Sequence, residues 1–344
     1  MREADLAEAV KDAVSAWLAS ATLPQQQQQL ANPATLSAAL GLVVQNSLST
    51  RGHTPTLIRD RVSSSAYLHL QGVFDAAALV DTPTEFFPVP DTPGTIAGRA
   101  AALAMHGAAH VETIAYGSEN DGNLFVNLVT IPGSGALPEK SKKSMRGHTD
   151  GVSFPFNGDD DAGDKRIAPA PDLVTLVGLR NPGSVPTRLM PLPDLLTHMS
   201  ADEVNELKKA QYSIRTQKTF IQGMKRILGK ELVVEDEPIL KTTPEGTYIR
   251  YSHSSVVASV SDGPAEKASS KLEEACSKIA IPIVVQPGDL LIVNNRLSLH
   301  GRGEVGGEAG GQSRWLLRTY GLDTSNLPLH KRHLGGVPTY VLFP

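Results

Sequence analysis

A histidine and an aspartate two residues apart carry the strongest chemical signal in this sequence. His148 and Asp150 lie in the segment Arg-Gly-His-Thr-Asp-Gly, residues 146–151. In an extended strand, residues i and i+2 project to the same face. An imidazole nitrogen and a carboxylate oxygen can therefore reach one metal ion. A pair this short also occurs by chance, so a third ligand has to come from elsewhere.

His300 is the best candidate for that third ligand. It follows the apolar run Leu290–Asn294 and immediately precedes a glycine-rich turn, so we expect it at the open end of a sheet. Two histidines and one carboxylate on one face of an octahedral ion leave three positions free. This arrangement suits iron(II) that binds an organic co-substrate and O2 together. The competing interpretation is a histidine that only makes structural hydrogen bonds.

Two arginines beyond His300 favour the iron interpretation. Arg314 begins the strand-like run Arg-Trp-Leu-Leu-Arg-Thr-Tyr. If His300 ends one strand and Arg314 begins its antiparallel neighbour, the guanidinium returns beside the metal. A guanidinium grips a carboxylate through two parallel hydrogen bonds, so Arg314 is predicted to hold the far carboxylate of 2-oxoglutarate. Arg318 has the same strand parity and is predicted to face the same cavity. The alternative for both arginines is a solvated strand face.

Together these segments resemble the taurine dioxygenase and clavaminate synthase superfamily of iron(II)/2-oxoglutarate-dependent oxygenases. His148-Thr-Asp150 matches the family's His-x-Asp/Glu motif. Residues 295–302, Asn-Arg-Leu-Ser-Leu-His-Gly-Arg, match its distal-histidine strand, and residues 314–320 match its arginine strand. The similarity spans roughly residues 120–325. The layout of residues 121–127 most resembles the amino-acid hydroxylase branch, although members of that branch often use Glu where this chain has Asp150.

The resemblance implies an enzyme, a dioxygenase that hydroxylates an unactivated C–H bond and releases succinate and CO2. It implies Fe(II) as the metal, with 2-oxoglutarate and O2 as co-substrates. His148, Asp150 and His300 would then be the metal ligands at the catalytic centre. Thr175 falls where taurine dioxygenase-like members place a threonine against the distal carboxylate of the co-substrate, so Arg314 and Thr175 are the expected co-substrate residues.

The same analogy predicts a small carboxylate-bearing substrate, a free amino acid or a derivative of one. Arg318 is expected to grip its carboxylate, and the pocket is expected to be lined by Asn127, Ser153 and Ser252. In the arginine hydroxylases, the segment corresponding to residues 250–253 carries acids that meet a guanidinium. This chain has Tyr-Ser-His at 251–253, which counts against arginine. Desaturation, cyclisation or a substrate that is not an amino acid stay open within the family.

Proteins of other classes can use similar residues. A cupin-like metal-binding protein or a zinc hydrolase fits the three metal ligands but gives the arginines no role. Gly301-Arg-Gly-Glu-Val-Gly306 has the dinucleotide-binding spacing, but the glycine-rich residues that follow cannot begin the required helix, so a flexible hairpin loop is predicted. His106 and His110 have a zinc-protease spacing but lack its glutamate, which favours packed or surface histidines.

Apolar periodicity places these motifs among helices and short strands. Helices are predicted over residues 4–20, 34–48, 97–110 and 265–279 and within 191–211, with a solvated linker or helix cap at Gln25–Gln29. Strands are predicted over 124–131, 173–179, 281–285, 290–294 and 314–320, with a strand pair in 247–260. Short strands ended by Pro-Gly turns are typical of a sandwich or jelly roll.

We therefore predict an α+β protein with a double-stranded β-helix (jelly-roll) core and N-terminal and inserted helices. Residues 1–344 would form a single oxygenase domain. Residues 1–115 would be largely helical, and residues 120–325 would form the core, with a helical insert at about 191–245.

The bulk properties of the chain limit its partners. A net charge of −4 and a pI near 6.2 argue against a nucleic-acid partner, while leaving room for a local basic pocket that binds a small anion. No apolar run is long enough to span a membrane, and the acidic N-terminus does not resemble a signal peptide. A single cysteine, Cys276, suits a reducing compartment, so a cytoplasmic location is predicted. The sequence leaves the oligomeric state open.

Overall fold

The computed structural model describes residues 1–54, 56–159, 164–333 and 338–344. Its helices are α1 Glu3–Ser20, α2 Leu23–Leu30, α3 Pro33–Thr50, α4 Thr56–Ser64, α5 Pro93–Ala108, α6 Ala136–Lys142, α7 Leu192–Thr197, α8 Ala201–Leu207, α9 Lys218–Leu228 and α10 Pro264–Ile279. Its strands are β1 Tyr67–Leu70, β2 Glu112–Tyr116, β3 Val126–Val129, β4 Met145–His148, β5 Leu173–Arg180, β6 Thr187–Pro191, β7 Tyr212–Arg215, β8 Val233–Glu237, β9 Leu240–Thr243, β10 Gly246–Ile249, β11 Val256–Ala258, β12 Ile281–Ile283, β13 Leu290–Asn294, β14 Ser298–Arg302, β15 Trp315–Leu322 and β16 Val341–Leu342.

The N-terminal helices cover one face of the larger sheet. Buried apolar residues of α1, α3 and α5 form one core with Leu173 and Val177 of β5. Helices α3 and α5 approach closely, since a Cβ atom on Gly107 would lie 1.9 Å from the carbonyl oxygen of Ser37. Only glycine permits this approach of two backbones. The predicted helices of this region are confirmed, but residues 25–29 lie inside α2 rather than in a linker.

Two sheets face each other beneath this helical layer. The larger sheet has the strand order β1-β13-β5-β15-β2-β16, with β3 also paired to β15. The smaller sheet has the order β12-β6-β14-β4. Val174, Leu291 and Leu316 of the larger sheet and Leu189 of the smaller sheet belong to one buried cluster. On the far side of the smaller sheet, Met190 and Leu299 pack with α7, α8 and α10.

Strand alternation decides which residues of the larger sheet face the smaller one. In β5, Val174 and Leu176 belong to the cluster between the sheets, whereas Leu173 and Val177 pack against the helices. The same period of two places Leu316 of β15 between the sheets and Leu317 against the helices. A residue one position away from its expected place therefore points into a different layer.

Two predicted strand pairings are wrong. The strands of His300 and Arg314 are not hydrogen-bonded neighbours: β14 pairs with β4 and β6 in the smaller sheet, whereas β15 belongs to the larger sheet. The strands within 247–260 do not pair with each other, because β10 pairs with β9 and β11 with β7. The insert at 191–245 holds strands β7, β8 and β9 as well as helices.

None of the helices in the described ranges is both long enough and apolar enough to cross a lipid bilayer.

Candidate metal centre

Strands β4 and β14 bring the two predicted metal-binding histidines together. His148 and His300 are direct partners across this antiparallel pair, and their ring centroids lie 4.4 Å apart. Asp150 follows β4 by two residues. Its Oδ1 lies 3.7 Å from Nε2 of His148, and its Oδ2 lies 3.8 Å from Nε2 of His300. One ligand atom from each residue lies within 4.8 Å of the others, so a single ion can contact all three.

Hydrogen bonds from distant parts of the chain hold this cluster in place. Nδ1 of His148 lies 2.9 Å from the carbonyl oxygen of Arg146, which leaves Nε2 as the free nitrogen. The amide of Asn295 bonds both backbone groups of Asp150, accepting from its N–H and donating to its carbonyl oxygen, each at 2.9 Å. Gln217 accepts from the N–H of Gly151 at 2.9 Å. Neither Asn295 nor Gln217 was among the predicted site residues, because their contacts with residues 150 and 151 depend on the tertiary fold.

The protonation states of the three side chains fit a divalent cation. Burial lowers the pKa of His148, and burial together with the neighbouring His148 lowers the pKa of His300 to about 3. Burial opposes ionisation of Asp150, but the charges of His300, Arg318 and His148 outweigh it and lower its pKa. At neutral pH the cluster therefore offers two neutral imidazoles and a carboxylate. This is the donor set of a facial-triad iron(II) site.

A cavity of ≈ 360 Å³ opens onto this cluster from between the two sheets. That volume lies near the lower end of the range for small-molecule pockets, roughly 300–1,000 Å³. Its apolar wall includes Phe86, Val126, Leu128, Val174 and Leu176. Its polar wall includes Glu119, Lys140, Ser252, His253, Arg302, Arg314 and Arg318. The cavity suits one or two small polar molecules beside the metal cluster.

Arg314 lines the cavity beside the metal cluster. The residue is 5% exposed, and its buried Nε has no hydrogen-bond partner among the residues that the structure describes. Burial, and then the charge of Arg302, lowers the pKa of Arg314 to about 9. Buried charges are normally paired, because removing an ion from water is costly. A guanidinium held in this state is a site for an anionic ligand.

Arg318 lies in the same cavity but is held by a carboxylate. Its two terminal nitrogens donate to the oxygens of Glu119 at 2.7 and 3.1 Å, and one of them lies 3.9 Å from Oδ2 of Asp150. Burial works against the charge of Arg318, but Glu119, Tyr320 and Asp150 outweigh it and raise its pKa. Glu119 is 3% exposed and was not predicted as a site residue. Its only sequence signal is an acid in the polar turn after the apolar strand β2.

Three of the predicted site residues lie outside the cavity, and strand parity explains two of them. Thr175 is on the helical side of β5, where its hydroxyl lies 2.8 Å from Nε2 of His106. Asn127 is on the outer side of β3, where it accepts from the indole N–H of Trp315 at 2.9 Å. Ser153 is buried in the turn after Asp150 and does not reach the cavity wall. Ser252 does line the cavity, as predicted.

His106, which holds Thr175, should make stability depend on pH. Its other ring nitrogen lies 2.8 Å from the hydroxyl of Thr113, and burial lowers its pKa to about 4. An unfolded histidine has a pKa of about 6.5. Between these values the unfolded chain binds a proton that the folded chain does not. The contribution of His106 to the free energy of unfolding is therefore largest above about pH 6.5, and it decreases as the pH is lowered.

Between pH 7 and pH 5, the free energy of unfolding should fall less in His106→Gln than in wild type, by roughly 2 kcal/mol. The measurement is urea denaturation of metal-free protein at both pH values. His148 and His300 titrate equally in wild type and variant, so their contribution cancels in the difference. Equal pH dependence of the two proteins would show that folded His106 takes up a proton as readily as unfolded His106.

Proteins that are similar to this chain in sequence or in fold include iron-dependent oxygenases, the kind of enzyme that uses a His/Asp/His donor set. The family model "Taurine catabolism dioxygenase TauD, TfdA family" matches residues 202–320, less than half of the chain. An asparagine oxygenase solved with Fe(II), 2S,3S-3-hydroxyasparagine and succinate is 21% identical, with a TM-score of 0.69 over 98% of this chain and 97% of that one. The non-heme iron oxygenase OrfP, solved with Fe and L-Arg, is 19% identical, with a TM-score of 0.71 over the same shares.

These similarities confirm the resemblance predicted from the sequence. The chain has the mixed α/β fold of the non-heme iron oxygenases along nearly its whole length, and its C-terminal half carries the TauD/TfdA signature. In fold, and in sequence over residues 202–320, the chain is therefore similar to the taurine dioxygenase-like oxygenases.

Proposed function

We propose that this protein is an iron(II)/2-oxoglutarate-dependent dioxygenase that hydroxylates a free amino acid or a close derivative. The observation that carries the proposal is the buried guanidinium of Arg314, in the same cavity as His148, Asp150 and His300, whose Nε has no hydrogen-bond partner among the described residues. A zinc hydrolase or a purely structural metal site requires no such guanidinium. An oxygenase that must hold a dicarboxylic co-substrate beside its metal does.

Different side chains of the site would bind the metal, bind the co-substrate and exclude water. His148, Asp150 and His300 would hold iron(II). With 2-oxoglutarate and O2, the iron supplies the oxidation of a C–H bond and the release of succinate and CO2. Arg314 binds the far carboxylate of 2-oxoglutarate through paired charge-assisted hydrogen bonds. The apolar wall of the cavity excludes water from the reacting atoms.

The Arg318–Glu119 pair supports an amino-acid substrate. It places a guanidinium and a carboxylate side by side on the cavity wall, next to Asp150. The carboxylate of an α-amino acid can approach Arg318 while its ammonium group approaches Glu119. The ion pair also fixes both side chains in advance, so little conformational entropy is lost on binding.

Anaerobic addition of iron(II) and 2-oxoglutarate tests the proposal. We expect a weak visible charge-transfer band that requires both additions and does not form when zinc(II) replaces iron(II). Amino acids are then screened for substrate-dependent succinate release in air. Absence of the band in folded, iron-replete protein would remove the proposal, and formation of the band without any amino-acid-dependent succinate would remove the substrate class.

The two facing sheets would form a double-stranded β-helix within one oxygenase domain spanning residues 1–344. The partner would be a small molecule and not a nucleic acid, as the net charge of −4 suggests. The cytoplasmic location stays a prediction from composition.

A further inference from the structure

More basic than acidic side chains line the cavity among the described residues. Among the described residues that line it, the acids are Glu119 and Asp150, and the basic residues are Lys140, Arg146, Lys218, Arg302, Arg314 and Arg318. Glu119 is neutralised by Arg318, and Asp150 belongs to the metal cluster. A dicarboxylic co-substrate would bring two negative charges, and iron(II) would bring two positive charges. Bound iron and co-substrate therefore leave the excess of basic side chains in place.

Lys140 is one of three basic side chains with no role so far, and unlike Arg146 and Lys218 it is not exposed. It is half-buried at the end of α6, and it forms no ion pair with any residue in the described ranges. By contrast, Lys143 on the same segment pairs with Glu139 at 2.9 Å and is exposed. The backbone under Lys140 is anchored, because Arg302 donates to the carbonyl oxygens of Lys140 at 3.1 Å and Lys143 at 2.8 Å. The lysine is thus presented to the cavity by a fixed segment.

Lys140 lines the same cavity as Arg318 and Glu119. Burial lowers the pKa of Lys140, and the charges that act on its ammonium group are those of Asp150, Glu119, Arg318 and Lys218. Two of these residues form the Arg318–Glu119 pair, and Asp150 lies 3.9 Å from Arg318. The charge that acts on Arg314 is that of Arg302. An anion bound by Lys140 would therefore belong to a molecule that also contacts the Arg318–Glu119 pair.

We propose that the substrate carries a second acidic group on its side chain and that Lys140 binds this group. The substrate class is then a dicarboxylic amino acid or an amino acid with another anionic side chain. This inference rests on the proposed function and narrows it. A cationic side chain such as that of arginine would meet basic groups here, and a neutral amide would leave Lys140 unpaired.

The test compares acidic amino acids with their amides in the iron-loaded enzyme. We expect aspartate, glutamate or 2-aminoadipate to support succinate release with a kcat/KM at least ten-fold above that of asparagine or glutamine. Lys140→Met should lower kcat/KM for the acid by about 10- to 100-fold, mainly through KM. The KM for 2-oxoglutarate should not change. Lys140→Arg should retain part of the preference, and Lys143→Met is the matched control that should behave as wild type.

Thermal shift measured anaerobically, with iron(II) and 2-oxoglutarate present, gives a readout independent of turnover. The acidic amino acid should raise Tm in wild type and Lys143→Met but not in Lys140→Met. The inference is overturned if amides match the acids, or if Lys140→Met raises the KM for 2-oxoglutarate instead. Failure of the charge-transfer band would overturn the proposed function itself, so the two failures are distinguishable.

Discussion

Replacing His300 with alanine is expected to abolish both the visible band with iron(II) and 2-oxoglutarate and the succinate released with substrate. The variant keeps only two of the three donors that converge within 4.8 Å. Loss of groups that merely orient metal ligands typically costs 10- to 100-fold in metal affinity or activity, so loss of a ligand should cost more than about 100-fold. Iron content after anaerobic loading and the visible spectrum measure the effect.

The variant should remain folded, because the imidazole of His300 faces the cavity and its Nδ1 has no hydrogen-bond partner in the described part of the chain. Its circular dichroism and Tm should therefore stay close to those of wild type. His198→Ala, which removes an exposed histidine at the end of α7, is the matched control and should retain the band. A band of full intensity in His300→Ala would show that His300 is not a ligand.

The metal cluster was the part of the site that the sequence predicted best, and the reason is local. His148 and Asp150 are two residues apart, so their convergence requires little more than the local backbone course. His300 lies in β14, Ser298–Arg302, a strand that follows the predicted apolar strand at 290–294 and that periodicity did not predict. The distance between the two segments along the chain was bridged by the family resemblance rather than by periodicity.

Register and topology explain where the structure differs from the arrangement predicted for the other site residues. Thr175 and Asn127 are each one position away from residues that line the cavity, and a period of two turns them to the opposite face of the sheet. Arg314 does reach the cavity, but from the sheet opposite to that of His300. Glu119 could not be assigned, because a single acid in a polar turn does not reveal its arginine partner 199 residues away.

Arg314→Met should weaken the binding of 2-oxoglutarate without lowering the stability of the protein. The guanidinium is expected to hold 2-oxoglutarate through two charge-assisted hydrogen bonds worth about 1.5–3 kcal/mol each. Their loss should raise the KM for 2-oxoglutarate by roughly 100-fold or more. In the protein without 2-oxoglutarate, the same guanidinium is buried, and its Nε has no partner among the described residues. Methionine there should leave Tm unchanged or raise it.

Two further variants test whether the effect depends on the position and the planar shape of the Arg314 guanidinium. Arg314→Lys keeps the charge but loses the planar fork that matches a carboxylate, so it should bind 2-oxoglutarate more weakly than wild type and better than Arg314→Met. Arg188→Met removes an exposed arginine of β6 and should change neither KM nor Tm. If Arg314→Met lowers Tm and leaves the KM for 2-oxoglutarate unchanged, then Arg314 is a structural residue. The co-substrate must in that case be held by another of the basic side chains in the cavity.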